Sequence, residues 1–210
     1  MASFRNLNEL YRNFLDETKF GMKESRIDYL YSLYENDYMK TWRHLEKDKK
    51  VRAKIKKLQE KKKSYKYPKE KDLLESTLES INELAKQRNS VIFEKIKDCH
   101  PPQLVFDLHG FTVRSAVEYV YKVFDAMKKT PQRLMNNSEE IVFITGRSYK
   151  PKKKAFTDRR NKSETKAQRI RTALLGTFQD TWQDQRNSGR VVMHFRKRLT
   201  YADALENFFK

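Results

Sequence analysis

A chain of 210 residues carrying a formal net charge of +18 has room for one large or two small domains, and an excess that large concerns partners rather than fold. A phosphate backbone, an acidic membrane surface or an acidic protein would each answer it, nucleic acid being the commonest case. A hydrophobic content of 38% with 12% aromatics excludes a chain disordered by composition, and the single cysteine, Cys99, excludes an intramolecular disulfide framework.

No apolar run approaches the roughly 18 residues that span a bilayer, and Met1-Ala2-Ser3-Phe4-Arg5 lacks the apolar core of a signal peptide. The expectation is a soluble, cytoplasmic protein with no membrane partner.

Residues 1–98 contain one glycine and one proline, Gly21 and Pro68. With helical periodicity, that scarcity predicts long helices. Leu7, Leu10, Tyr11, Phe14 and Leu15 form one apolar stripe, and Ile27, Leu30, Tyr31, Tyr34, Tyr38, Trp42 and Leu45 a second. A third runs through Leu74, Leu78, Ile81, Ala85, Ile92 and Ile96, with Asn89 as a cap or interruption. Between the last two lies a lysine-rich stretch from Lys47 to Lys63 that keeps Val51, Ile55 and Leu58 at helical spacing. It is either a solvated helix end or an arm that tracks phosphates, with Tyr65 and Tyr67 available to stack on bases.

Cys99-His100-Pro101-Pro102 reads as a boundary, because paired prolines cannot continue a helix. Two adjacent ligand types without partners at metal-binding spacing do not make a metal site. Beyond the prolines the period changes. Residues 104–109 read as a strand ending at Gly110, and Thr112 caps a helix through Val113, Ala116, Val117, Val120, Val123, Phe124 and Met127. Residues 140–145 form an apolar strand followed by Gly146, then a basic loop from Arg147 to Lys162. Ser163 opens a helix through Ile170, Ala173, Leu174, Phe178 and Trp182, and a strand over 190–195 follows Ser188-Gly189.

The fold expected is therefore α+β in two parts: a basic helical region over 1–100 and a small α/β sandwich with a βαβαβ core over 101–198. A helical tail follows over 199–210. Strand–helix alternation predicts parallel pairs with right-handed crossovers, and ligands in such folds sit beyond the carboxyl ends of the strands. Those ends carry Asp107 and His109 on the first strand, Gly146 and Arg147 on the second.

Alternation along a strand puts Asp107 and His109 on one face. A carboxylate two residues from an imidazole can orient it and favour its charged form, and an arginine nearby can grip phosphate. The blander reading is a turn-forming Asp, a structural His and a surface Arg. His194, which faces opposite Met193 and Phe195 on the last strand, is a further candidate for the site, although a surface role is its simpler reading.

At this point the residues resemble a family. Phe106-Asp107-Leu108-His109-Gly110-Phe111-Thr112-Val113 is similar to the Leu-Asp-Leu-His-Gly-Leu signature that opens small MutS-related (Smr) domains. Ile144-Thr145-Gly146-Arg147 is similar to that family's Thr-Gly-Lys/Arg-Gly motif, and Arg169-Ile170-Arg171 with Leu174-Leu175 to its second helix. The helix around residues 89–96 resembles a helical region that often precedes eukaryotic Smr domains.

The resemblance covers about residues 103–198. It implies an endonuclease, acting on messenger RNA at stalled ribosomes in eukaryotic relatives and nicking DNA in some bacterial ones; the imidazole, its orienting carboxylate and the guanidinium are the parts that cleavage without a metal requires, and no cofactor is expected. It also implies the sandwich shared with the C-terminal domain of a bacterial translation initiation factor. Asp107, His109 and Arg147 carry over as catalytic residues. Gly110, Gly146, Ser148, Lys150, Lys152, Lys153, Lys154, Arg159 and Arg160 are the nucleic-acid-binding candidates. Ser148 stands where the family has its second glycine, and the basic loop is enlarged. The alternatives are a noncatalytic RNA- or ribosome-binding adaptor and a DNA nickase. Pro151-Lys152-Lys153-Lys154 also resembles a nuclear localisation signal.

Overall fold

The structure is a computed structural model and describes residues 24–66, 69–97, 103–130, 139–146 and 165–195. The first apolar stripe, the paired prolines, the basic loop from Arg147 to Lys162 and the tail over 199–210 lie outside the described residues. The chain divides into two compact units, Met1–Lys57 and Leu58–Lys210.

In the first unit the stripe expected to run unbroken from Ile27 to Leu45 is shared between two helices, α1 (Glu24–Leu33) and α2 (Tyr38–Ser64). The break has a backbone cause. Glu35 and Asn36 both take positive φ, 57° and 62°, which no helix interior tolerates. Asp37 then restarts the helix by accepting from the Lys40 amide at 2.9 Å. Ile27, Leu30, Leu33, Leu45, Val51 and Ile55 are buried, while the lysines of α2 cover its wet side. No helix among the described residues is long and apolar enough to cross a membrane.

The second unit begins with the last turns of α2 and continues through α3 (Lys71–Arg88), the short α4 (Ser90–Glu94) and a 3-10 turn, Lys95–Lys97. Asn89 breaks the helical run between α3 and α4. Then come β1 (Leu104–Asp107), α5 (Val113–Lys128), β2 (Glu139–Ile144), α6 (Lys166–Thr177), β3 (Thr181–Gln183) and β4 (Arg190–Phe195). Thr112 caps α5 as expected, its hydroxyl accepting from the Ser115 amide at 3.1 Å. Thr165 caps α6, accepting from the Gln168 amide at 3.3 Å; the Ser163 start lies outside the described residues.

The four strands lie in the order β1-β2-β4-β3, with β1 and β2 parallel and β4 antiparallel to both its neighbours. Two expectations need correction here. The helix carried to Trp182 stops at Thr177, and Trp182 sits in β3, a strand that the βαβαβ reading lacks. Phe178 and Trp182 keep helical spacing, but Phe178 is already extended (φ −111°, ψ 131°) and Asp180 takes φ 53°. The second correction follows from the first. A six-residue link from β3 to β4 is a hairpin, which makes the last strand antiparallel rather than parallel.

Cross-strand partners share a face of a sheet. Phe106, Phe143 and Val191 are such a set, as are Leu104, Ile141 and Met193, and all six are buried. Their rings meet α5: Phe106 stacks on Phe143 at 5.6 Å and meets the edge of Tyr119 at 5.9 Å. Phe124 reaches Phe178 and Phe195 at 5.3 and 5.7 Å. The core thus fastens β1 to β2, and their carboxyl ends finish level, with Asp107 opposite Ile144.

Candidate active site

The ladder between β1 and β2 runs one bond past Asp107, the Leu108 amide donating to the Ile144 carbonyl at 2.9 Å. The chain then turns. The His109 amide donates to Asp107 Oδ1 at 2.9 Å, an aspartate-nucleated turn, and Gly110 follows at φ 97°. This turn, rather than strand alternation, brings Asp107 and His109 together. The imidazole Nδ1 lies 2.5 Å from the same Oδ1.

Across the strand pair Gly146 takes φ 95°, and a β-carbon built on it would lie 2.7 Å from His109 Nε2 and 3.5 Å from the Ala167 β-carbon. His109 therefore spans from Asp107 to the backbone of Gly146, at the start of α6. Only a glycine leaves room for the ring there. Arg171 from α6 donates to the Gly146 carbonyl at 3.0 Å, and Lys166 to the Gly110 carbonyl at 3.3 Å. Both glycine turns are thus tied to α6.

Sequence reasoning missed what α3 and α4 supply. Arg88 Nη2 donates to Asp107 Oδ2 at 2.9 Å. Asn89, fully buried, donates to the Asp107 carbonyl at 2.8 Å and accepts from its amide at 2.9 Å, pairing as a strand neighbour would on the open edge of β1. Asn82 accepts from the Thr112 amide at 3.0 Å. A sequence signal for the asparagines existed: Asn82 and Asn89 stand seven residues apart, beside the buried Ile81 and Ala85. A polar residue carried on a buried helix face needs a partner.

The electrostatics follow from this geometry. The Asp107 side chain is 13% exposed and Arg88 10%, whereas His109 is 53% exposed. Burial would push the Asp107 carboxyl up, but the hydrogen bond from His109 and the charge of Arg88 outweigh it and hold it well below the usual carboxylate range. The bond to Asp107 raises the His109 pKa above its ordinary value, against opposing effects of burial and of Arg88. An ionised carboxylate only accepts, so Nδ1 carries the proton in that bond and Nε2 is left for chemistry. Burial lowers the Lys166 pKa, and the charge of Lys62 lowers it further.

Asp107, His109, Gly110 and Gly146 are thus gathered at one place. Arg147, Ser148, Lys150, Lys152, Lys153, Lys154, Arg159 and Arg160 lie outside the described residues. His194 does not join the site: it is at the other end of the sheet, paired in register with Glu140 and 4.6 Å from the Trp182 ring. Among the described residues no group of three His, Cys, Asp or Glu side chains is placed to hold a metal ion. No protein-family model, curated protein or solved structure matches the chain.

Proposed function

We propose that the second unit is an Smr-like domain that binds RNA and cleaves it at His109. One observation carries this reading. A half-exposed imidazole is held through Nδ1 by a buried carboxylate, with its Nε2 beside Gly146, at the carboxyl ends of two neighbouring strands. That is the position where α/β folds bind ligands, and it lies in a chain with a net charge of +18. Two motifs that resemble the family's sequence signature meet there.

The chemistry that fits is transesterification within RNA. The 2′-oxygen attacks the neighbouring phosphorus, and the bond from phosphorus to the 5′-oxygen breaks, leaving a cyclic phosphate. The bond to Asp107 raises the His109 pKa and so favours the imidazolium, which suits His109 to serve as the acid. It gives its Nε2 proton to the leaving 5′-oxygen while the 2′-hydroxyl proton passes to water. Asp107 holds the tautomer and stabilises the imidazolium. Arg147 is assigned to the charge that develops on the phosphoryl oxygens, and the lysines and arginines of 150–160 to the flanking phosphates.

The test is incubation of the full chain with single-stranded and structured RNA, with and without EDTA, beside His109→Ala. Cyclic-phosphate ends that form in EDTA and disappear in the variant support the reading. Binding without cleavage of any RNA, including ribosome-bound RNA, would instead favour the adaptor, to which Ser148 in the second motif also points. Cleavage confined to DNA would make the chain a nickase. A cytoplasmic site of action beside the ribosome belongs to the same proposal.

A further inference from the structure

Arg88 precedes Asp107 by 19 residues and closes a helix, yet its guanidinium touches the carboxylate that holds the histidine. We infer that Arg88 is a positioning residue for His109, acting through Asp107. The inference rests on the proposed nuclease reading only for its activity readout. Each carboxylate oxygen of Asp107 has its own partners: Oδ2 takes the guanidinium at 2.9 Å, and Oδ1 takes the His109 amide at 2.9 Å and Nδ1 at 2.5 Å. A carboxylate turns readily about its last bond. Engaging Oδ2 therefore determines where Oδ1 points. The His109 ring is half exposed, so packing alone does not orient it, and the direction of Oδ1 does.

The residue next in sequence completes the grip. Asn89 holds both backbone polar groups of Asp107, so α3 and its continuation hold the main chain and the carboxylate of one residue from consecutive positions. Among the described residues, the charged groups around the ring are Asp107 itself, Arg88 from α3, and Lys166 and Arg171 from α6, which bond to the Gly110 and Gly146 carbonyls.

Arg88 acts on His109 in two opposite ways, and the opposition makes the inference testable. As a nearby positive charge it disfavours the imidazolium, so its loss on that ground alone raises the His109 pKa. As a clamp it keeps Oδ1 on Nδ1, so its loss frees the carboxylate and drops the pKa toward the ordinary imidazole value of 6.5. The direction of the change separates positioning from charge.

The experiment is a nitrogen-15 NMR titration of the imidazoles in the full chain, for the natural protein, Arg88→Ala and Arg88→Lys. The His109 signal is the one of four that is missing in His109→Ala. In the natural protein the neutral ring is expected as the Nδ1–H tautomer. In Arg88→Ala the Nε2–H tautomer appears and the titration midpoint falls, and Arg88→Lys, with the charge but not the planar fork, lies between. RNA cleavage is expected to lose tenfold or more in kcat with KM little changed. A midpoint that rises, or a tautomer unchanged in both variants, overturns the inference. Thermal melts report whether Arg88→Ala is folded, and if it is not, Arg88→Lys and Arg88→Gln decide by the same signals. Should the natural protein cut no RNA, the nuclease reading falls while the titration still decides the role of Arg88.

Discussion

The Nε2 nitrogen of His109 stands so close to Gly146 that a β-carbon there would meet it at 2.7 Å. Gly146→Ala therefore carries two penalties. The backbone sits at φ 95°, and a side chain in that region costs about 1–3 kcal/mol. The methyl also displaces the imidazole, whose half-exposed ring can swing outward. Urea unfolding of the variant is expected to show that stability loss, and RNA cleavage to fall by at least two orders of magnitude, roughly the contribution of one positioned acid. Cleavage at the natural rate would show that the reacting Nε2 is not where the ring stands.

Asn89→Ala probes the other side of the same loop. It removes the two bonds that pair Asp107's amide and carbonyl and leaves those groups near a buried edge. Unsatisfied backbone groups cost about 1–3 kcal/mol each, so a loss of about 2–6 kcal/mol in urea unfolding is expected for the two. Asn89→Asp keeps the acceptor for the amide but sets a second carboxylate against Asp107, and is expected to recover little. A loss below about 1 kcal/mol for the alanine variant would mean that water replaces the asparagine.

How much of this is legible in the sequence varies by element. Strands with continuous apolar runs, such as 141–143 and 191–193, are signalled by burial on both faces, and they appear where the pattern puts them. Gly110 and Gly146 are also legible as turn positions, since positive φ is what glycine permits. β3 is not legible: three residues with an exposed Trp182 give too short a pattern to set against the helical spacing of Phe178 and Trp182, and the sense of β4 is lost with it. Arg88 escapes because its partner is 19 residues away in a different element, and no periodicity encodes such a pairing. The pairing of Asp107 with His109 is legible, but not its cause: the strand expected to reach His109 ends at Asp107, and a turn rather than alternation juxtaposes the two.

The site makes stability depend on pH in two opposite directions. Asp107's folded pKa lies below its ordinary value of 3.8. Its contribution is complete above that value and is lost as pH falls through the folded pKa. His109's folded pKa lies above 6.5, so its contribution is complete below 6.5 and is lost as pH rises through the folded pKa. Both contributions are present together from about pH 4 to 6.5. Thermal melts are expected to show Asp107→Asn losing stability most in that window, and less on the alkaline side, where the His109 contribution has already gone. A loss uniform from pH 4 to 9 would mean that the ion pair between the two side chains is not what the residue supplies.

Under the proposed nuclease reading, the same shift is expected to set the pH dependence of cleavage. With His109 as the acid, the rate is expected to fall as the ring deprotonates, with a midpoint above 6.5. In Asp107→Asn the carboxylate that favours the imidazolium is gone, and the midpoint moves below that of the natural protein. A rate that climbs through the same midpoint instead of falling would make His109 the base for the 2′-hydroxyl. On the same reading, RNA affinity is expected to come from the chain's excess positive charge, +18 in all. Replacing Lys152, Lys153 and Lys154 with glutamate is expected to weaken RNA binding while leaving the His109 titration in place. It should also flatten the plot of log affinity against log salt by roughly 0.7 to 1 for each phosphate no longer neutralised. An unchanged salt slope would assign phosphate binding to the lysines of α2 rather than to the basic stretch that follows Gly146.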